Sequence, residues 1–187
     1  WHNAFYDTPW FEAQNDGMVY LDKVLYTYKG DMTKPTEISI QEGTVGISDY
    51  AFSNQRYLTK VIIPSTIKYV GSYAFNHNCP SLGEIVFNAT ECTDERRRGN
   101  SPGYFSDALS RITFGEYVLR IPSYLLYGCS GLQEVILPNN LTSIGNYSFD
   151  GCGLLSQVTL PESLETIGSG AFQNCTSLST LTIPENV

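Results

Sequence analysis

Cysteine is the residue type whose spacing in this chain could most readily do chemistry. Cys129, Cys152 and Cys175 follow one another at an interval of 23 residues, and Cys79 occupies the same place in an earlier stretch of similar sequence. Regularly placed thiols could pair as disulfides, converge on a zinc ion or supply a nucleophile. Each of these uses requires a particular geometry, which depends on the elements that carry the cysteines.

The interval itself argues against a metal site. A fixed period of this size is typical of stacked repeats, and stacking would turn the four cysteines into one ladder of parallel side chains. Zinc ligands converge tetrahedrally, which parallel side chains do not. Neighbouring coils would hold the Cα atoms at the roughly 4.4–6.8 Å that disulfides also use, so a bridge stays open. We favour reduced, buried thiols in a structural ladder formed by Cys79, Cys129, Cys152 and Cys175.

Little else in the chain points to catalysis. The histidines are His2 and His77, and no G-x-S-x-G nucleophile motif, phosphate-binding loop or dinucleotide fingerprint occurs. Acidic residues are scattered over turns and do not pair for acid–base work. Cys92 is the better candidate for a reactive thiol, because it lies in a polar stretch beside basic residues, although an inert thiol is favoured there too. The sequence therefore predicts a non-enzymatic protein with no cofactor and no metal.

The charge balance limits the classes of partner. A net charge of −8 argues against nucleic acid, since phosphate backbones require clustered Lys and Arg. The basic run Arg96, Arg97 and Arg98 is a candidate set of loop contacts for a phosphate or acidic glycan, and a solvated loop is the more common alternative. No stretch of about 20 apolar residues is present, so we expect no membrane insertion by this segment.

The elements that position these residues recur at nearly the same interval. Each repeat begins with a triplet whose first and third residues are apolar, as a strand with one buried face requires. Proline follows four of the triplets and ends the strand, because it cannot donate to a ladder. The predicted strands span residues 38–40, 61–63, 85–87, 112–114, 135–137, 158–160 and 181–183.

The middle residues of these strands should line the exposed side of a sheet. Several are β-branched and apolar, and exposed apolar patches can mark interaction sites, although β-branched residues also simply suit strands. The candidate binding face consists of Ile62, Val86, Thr113, Ile136, Thr159 and Thr182.

Further columns run through the repeats. Equivalent residues of stacked coils lie about one strand spacing apart, roughly 4.8 Å, so each apolar column becomes a continuous rib of the core. We expect a repeat solenoid of ~23-residue coils, each with a strand, a turn, a second short extended stretch and a helical turn at an Ala-Phe pair. Tyrosines that precede this pair could be structural stacks or interface residues; they are Tyr50, Tyr73, Tyr124 and Tyr147.

The chain resembles the BspA-type leucine-rich repeats. The resemblance rests on segments 160–168 (LPESLETIG) and 170–175 (GAFQNC) and on Ser177-Leu178, and it covers about residues 38–187. It implies a leucine-rich-repeat-like right-handed superhelix with a sheet on one face. It also implies a bacterial surface or secreted protein, often with an adhesive role.

Two segments depart from the pattern. The repeat over 85–111 is irregular, because the polar stretch 88–102 lacks the usual columns, and repeat arrays carry such insertions as loops. The other departure is at residues 18–28, where apolar residues alternate with other residues on both sides of Leu21-Asp22-Lys23. This pattern predicts a β-hairpin. We therefore divide the chain into 1–37, the tail of a preceding repeat plus the hairpin, and 38–187, the solenoid with an incomplete last repeat. We expect the chain to be part of a longer array.

Together these features predict a non-enzymatic, extracellular adhesion or ligand-recognition module. Its partner would be a protein or a surface glycan at a bacterial cell surface, bound through the solenoid surface. The alternative is a structural spacer that presents another domain of a larger surface protein.

Overall fold

The computed structural model describes residues 3–76, 78–93 and 104–187, and within them the chain winds as a β-solenoid with almost no helix. Successive coils stack so that strands of neighbouring coils pair along the array. The predicted repeat solenoid is therefore confirmed. In chain order the elements are α1 (Pro9–Glu12), β1 (Gly17–Leu21), β2 (Val24–Lys29), β3 (Thr36–Ser39), β4 (Gly46–Ile47), β5 (Leu58–Ile63), β6 (Tyr69–Val70), β7 (Glu84–Phe87), β8 (Arg111–Phe114), β9 (Arg120–Ile121), β10 (Glu134–Ile136), β11 (Ser143–Ile144) and β12 (Thr166–Ile167).

A five-stranded parallel sheet in the order β10-β8-β7-β5-β3 forms one face. Burial alternates along its strands, as in β7, where Ile85 and Phe87 are buried and Glu84 and Val86 are half-exposed. This alternation follows from the period of two in a strand. It places one side of the sheet against the core and the other toward solvent.

The sheet ends earlier than the sequence predicts. The strands expected at 158–160 and 181–183 are not paired strands, because an open cleft lies between residues 157–162 and 180–184. The coil that carries residues 158–160 is joined to the preceding coil, which begins with β10, through the short strands, where β11 pairs with β12. Strand pairing requires the neighbouring backbone at one strand spacing, and here the coils meet at only one of their two sides.

The predicted N-terminal hairpin is present. Strands β1 and β2 pair in antiparallel fashion, and β2 then pairs in parallel with β4, so the hairpin extends the sheet β1-β2-β4-β6. It thus joins the ladder of short second strands and leaves the five-stranded sheet uncovered. In the later coils the short second strands form a separate three-stranded sheet in the order β12-β11-β9.

The segments around the Ala-Phe pairs are turns where helical turns were expected. Ala51 N–H donates to Ser48 O at 3.3 Å, and Ser53 N–H donates to Tyr50 O at 2.9 Å. Tyr50 between them has φ of 57°. A left-handed residue interrupts the run of negative φ that a helix needs, so these bonds form turns that do not propagate.

The core is one continuous cluster along the solenoid. Phenylalanine rings stack through it, with centroids 5.0 Å apart for Phe52 and Phe75 and 5.6 Å apart for Phe75 and Phe105. Phe105 comes from the irregular repeat and was not predicted as a rib residue. Ala89 of the same repeat is also buried, so this repeat contributes to the core on both sides of its polar loop.

Candidate functional site

The candidate binding face is partly assembled by the five-stranded sheet. In register, Ile62 lies opposite Val86, Val86 opposite Thr113, and Thr113 opposite Ile136. The first three side chains are half-buried, whereas Ile136 is 37% exposed at the edge strand β10. The structure therefore brings four of the six predicted residues into one row that is most accessible at Ile136. We call it the apolar row: Ile62, Val86, Thr113 and Ile136.

The other two predicted residues lie beyond the paired strands. Thr159 and Thr182 are exposed and both line the cleft between the last two coils. Gln157 and Thr180 line the same cleft, so the two threonines have polar neighbours there. The structure thus separates them from the apolar row, although both sets stand on the same side of the solenoid.

A second row on the sheet face was missed by the sequence reasoning. Its residues lie two positions before the apolar row, and their charges alternate in sign from strand to strand. Lys60 Nζ is 3.0 Å from Glu84 Oε1, and Arg111 Nε is 3.5 Å from Glu134 Oε2. The signal was the alternation of acidic and basic residues at one column. We call this row the charge ladder: Glu37, Lys60, Glu84, Arg111 and Glu134.

The ladder cysteines lie inside the core. None of the five cysteines, all of which fall in the described residues, is in a disulfide, and all except Cys92 are buried. Thiols of the ladder donate to a carbonyl of the preceding coil: Cys79 Sγ to Phe52 O at 3.0 Å and Cys175 Sγ to Phe149 O at 3.1 Å. Burial raises the pKa of the Cys79 and Cys175 thiols to about 11. These thiols are suited to packing and poorly suited to nucleophilic attack.

Cys152 is less acidic than Cys79 and Cys175. Burial, with the neighbouring Cys129 and Cys175 adding to it, raises the pKa of Cys152 well above its ordinary value. Its Sγ donates to Leu126 O at 3.4 Å. The regular cysteines are thus placed as core residues.

Gln55 takes the cysteine position in an earlier coil. Its Nε2 donates to Gly30 O at 2.8 Å, and its Oε1 accepts from Met32 N–H at 3.1 Å. The side chain is buried. A polar residue in this column therefore ties the segment that follows the hairpin to the solenoid.

The polar loop can be described only in part. Cys92 is half-buried and packs against the main core, and Thr93 N–H donates to Lys68 O of the preceding coil at 2.9 Å. The residues that begin the loop therefore still follow the solenoid. Arg96, Arg97 and Arg98, predicted as loop contacts, lie outside the described residues.

The tyrosine column has an unusual backbone. Tyr50, Tyr73, Tyr124 and Tyr147 all have φ between 52° and 61°, and rings stack at 5.0 Å for Tyr50 with Tyr73 and 5.2 Å for Tyr124 with Tyr147. A left-handed conformation costs an L-residue roughly 1–2 kcal/mol. Gly170 (φ 63°) ends the column and leaves space for the Tyr147 ring. This glycine is the sequence signal that could have identified the left-handed position.

Metal-binding clusters and membrane-spanning helices are both absent from the described ranges 3–76, 78–93 and 104–187. No group of three or more His, Cys, Asp or Glu side chains in them is arranged to hold a metal ion. No helix in the same ranges is long and apolar enough to cross a membrane.

A solved structure shares the fold. A leucine-rich repeat protein from Eubacterium ventriosum matches with a TM-score of 0.61 and 22% identity over 88% of this chain. A leucine rich cell surface protein from Faecalibacterium prausnitzii matches with a TM-score of 0.48 and 25% identity over 84% of this chain. The chain spans about half the length of each, 50% and 49% respectively. No curated protein matches the sequence.

The sequence profile of one family covers most of the chain. Six copies of the BspA type leucine rich repeat region match residues 26–95 and 102–187. The first match begins within β2, so the profile includes part of the hairpin as well as the regular coils. The stacked coils, their parallel sheet and these matches agree, and the chain belongs to the BspA-type leucine-rich repeat family.

Proposed function

We propose that this chain is a non-enzymatic adhesion or ligand-recognition module of an extracellular or cell-surface protein, and that it binds a protein partner through the five-stranded sheet. The observation that carries the proposal is the uncovered sheet, on which an apolar row runs beside the charge ladder. Family membership supports a general interaction role. The Faecalibacterium prausnitzii protein named above is itself described as a cell surface protein.

The two rows suit recognition of a protein. Apolar residues at the centre of an interface supply most of the binding free energy, and charges at its margin orient the partner. Ile136 provides exposed apolar area at the edge strand, and Arg111 and Glu134 lie on the same face at 45% and 54% side-chain exposure. The partner would therefore present an apolar centre with charges of both signs around it.

A charge introduced into the apolar row tests the proposal. We expect Ile136→Glu to weaken binding to the best ligand in a panel of purified extracellular matrix proteins at least tenfold, because a carboxylate would be desolvated at the contact. Surface plasmon resonance on the immobilised chain would measure the change in Kd.

The matched control is Leu119→Glu, which charges another exposed apolar residue (50% exposed) at the start of the β9 segment, away from the five-stranded sheet. Thermal unfolding of both variants would verify that they fold. Equal binding by wild type and Ile136→Glu would contradict recognition through the sheet and favour the spacer role, in which no partner binds this face.

A further inference from the structure

A groove lies beside the sheet, where the turns after β3, β5, β7 and β8 stack. Its lining includes Glu42, Ser65, Asn88, Glu116 and Tyr117. Its volume is about 440 Å³, and it is open to solvent. This volume falls within the range of roughly 300–1,000 Å³ that small-molecule sites occupy.

The groove coincides with an irregularity in the proline column. Proline directly follows the third strand residue at Pro64 and Pro138, but the two intervening coils carry Asn88 and Gly115 there. A Cβ atom at Gly115 would collide with Asn88 Oδ1. The absence of a side chain at Gly115 thus makes room for the amide of Asn88 at the floor of the groove.

Some polar groups of the groove are held in place before any ligand arrives. Glu42 Oε1 accepts from Ser65 Oγ at 2.7 Å, and the Asn88 amide rests against Gly115. Polar groups that are already ordered lose less conformational entropy on binding. The Glu116 carboxylate, which also lines the groove, offers acceptors, and the Asn88 amide offers both donors and an acceptor, so these planar groups can bond to adjacent hydroxyls.

Tyr117 supplies the apolar part of the site. Its side chain is 75% exposed, the largest exposure among the large hydrophobic residues of the described chain. Tyrosine combines an apolar ring face with a polar tip, and such a ring can stack against the C–H face of a sugar ring. An exposed ring beside hydroxyl-binding groups is a combination that suits a saccharide.

Charge decides which saccharide fits. Glu42 and Glu116 both line the groove, and no basic side chain is among its described lining residues. Two carboxylates repel sulfate and carboxylate groups at this short range. The groove is therefore unsuited to acidic glycans and suited to uncharged ones.

We propose that this groove binds a neutral saccharide whose pyranose ring stacks on Tyr117 while its hydroxyls bond to Glu116 and Asn88. The site is separate from the five-stranded sheet and does not depend on the protein partner proposed above. It gives the module a second ligand of a different chemical class.

The test begins with a glycan array that carries neutral, sulfated and sialylated oligosaccharides, followed by calorimetry with the strongest neutral binder. We expect Tyr117→Ala to weaken binding at least tenfold, Tyr117→Phe to stay within about threefold because the ring remains, and Glu116→Gln to weaken binding several-fold. Tyr57→Ala is the matched control, because Tyr57 is 47% exposed and does not line the groove.

Three outcomes would overturn the inference: no neutral glycan bound at millimolar concentration, binding restricted to acidic glycans, or unchanged binding by the folded Tyr117→Ala protein. Ile136→Glu separates the two proposals. This variant should leave the affinity for the glycan unchanged while it weakens binding of the protein partner. Each proposal can therefore be refuted without the other.

Discussion

At the residue scale, the regular cysteines are core residues. Their thiols are buried and donate to carbonyls of the preceding coil, as Cys79 does to Phe52 O. A buried thiol behaves as a small apolar side chain with a weak donor. The interval of 23 residues therefore reports the length of a coil, and the thiols stabilise the fold in their protonated form.

The protonated form gives stability a pH dependence. Burial raises the pKa of Cys79 from 9.0 to about 11 in the folded chain. Its contribution is complete below about pH 9 and is lost as the pH rises through 11, because the unfolded state deprotonates first. We expect the free energy of unfolding to fall by up to about 2 kcal/mol over this window on account of this thiol. Urea unfolding at pH 8, 9.5 and 11 would measure it.

Burial raises the pKa of Cys175 to about 11 as well, so the comparison needs a variant of Cys79 alone. Cys79→Ala should be less stable at pH 8 but should lose less stability between pH 8 and 11 than the wild type. A parallel loss in both proteins would contradict the assignment to Cys79.

What the sequence predicts at this scale depends on local pattern. The cysteine column could be read from its interval, and Gln55 could be placed in it. The left-handed tyrosines are signalled only indirectly, by Gly170 at the same position of a later coil, because tyrosine itself rarely adopts positive φ. The groove was also missed, since residues as far apart in the sequence as Glu42 and Tyr117 line one groove only when the coils stack.

At the element scale, one lysine fastens the N-terminal segment to the hairpin. Lys29 Nζ donates to the carbonyls of Phe11 and Glu12 at 2.9 Å and of Gln14 at 2.8 Å. It also lies 5.2 Å from the centroid of the Phe11 ring. These carbonyls lie at and just beyond the C-terminal end of α1, where a positive charge is favourable. Lys29 of β2 thus holds α1, and with it Phe11, against Tyr26 in a small separate core.

Lys29→Met should release this segment while the solenoid stays folded. The methionine keeps most of the aliphatic stem but removes three charge-assisted hydrogen bonds, so we expect the local opening free energy to fall by about 1–3 kcal/mol. Hydrogen exchange of amides in residues 8–14 and of those in β5 would measure the two regions separately.

The matched control is Lys34→Met at an exposed position that precedes β3. It should leave exchange in both regions unchanged. Equal protection of residues 8–14 in wild type and Lys29→Met would show that the aromatic contacts alone hold the segment.

The alternation of apolar and polar residues predicts strands whose formation depends on their own sequence. Five of the seven strand triplets and the hairpin could be predicted in this way. The triplets at 158–160 and 181–183 carry the same alternation but form no paired strand, because pairing also depends on where the neighbouring coil lies. That position is a property of the stack and cannot be read from one repeat.

At the scale of the whole molecule, the irregular repeat keeps the core continuous. Phe105 is buried, its ring lies 5.6 Å from Phe75, and Tyr104 O accepts from Phe75 N–H at 3.1 Å. In a stacked array each coil is stabilised mainly by its neighbours. A gap in the middle of the array would therefore leave two coils with an incomplete interface.

Phe105→Ala should accordingly cost about 3–5 kcal/mol of unfolding free energy, the usual cost of a large-to-small change at a buried aromatic residue. Phe172→Ala, at a half-buried ring that stacks on Phe149 at 5.1 Å, should cost less. Guanidinium unfolding followed by circular dichroism would give both values. A larger loss for Phe172→Ala would contradict the role of the irregular repeat in the core.

The charge ladder restricts how arrays of this kind can change in length by duplication or deletion. Loss of the single coil that carries Lys60 would bring Glu37 opposite Glu84, and like charges directly opposite one another are destabilising. Loss of two consecutive coils would bring Glu37 opposite Arg111 and keep unlike charges together. Within the five strands of this ladder, loss of an even number of interior repeats therefore keeps unlike charges opposite one another, whereas loss of an odd number brings like charges together.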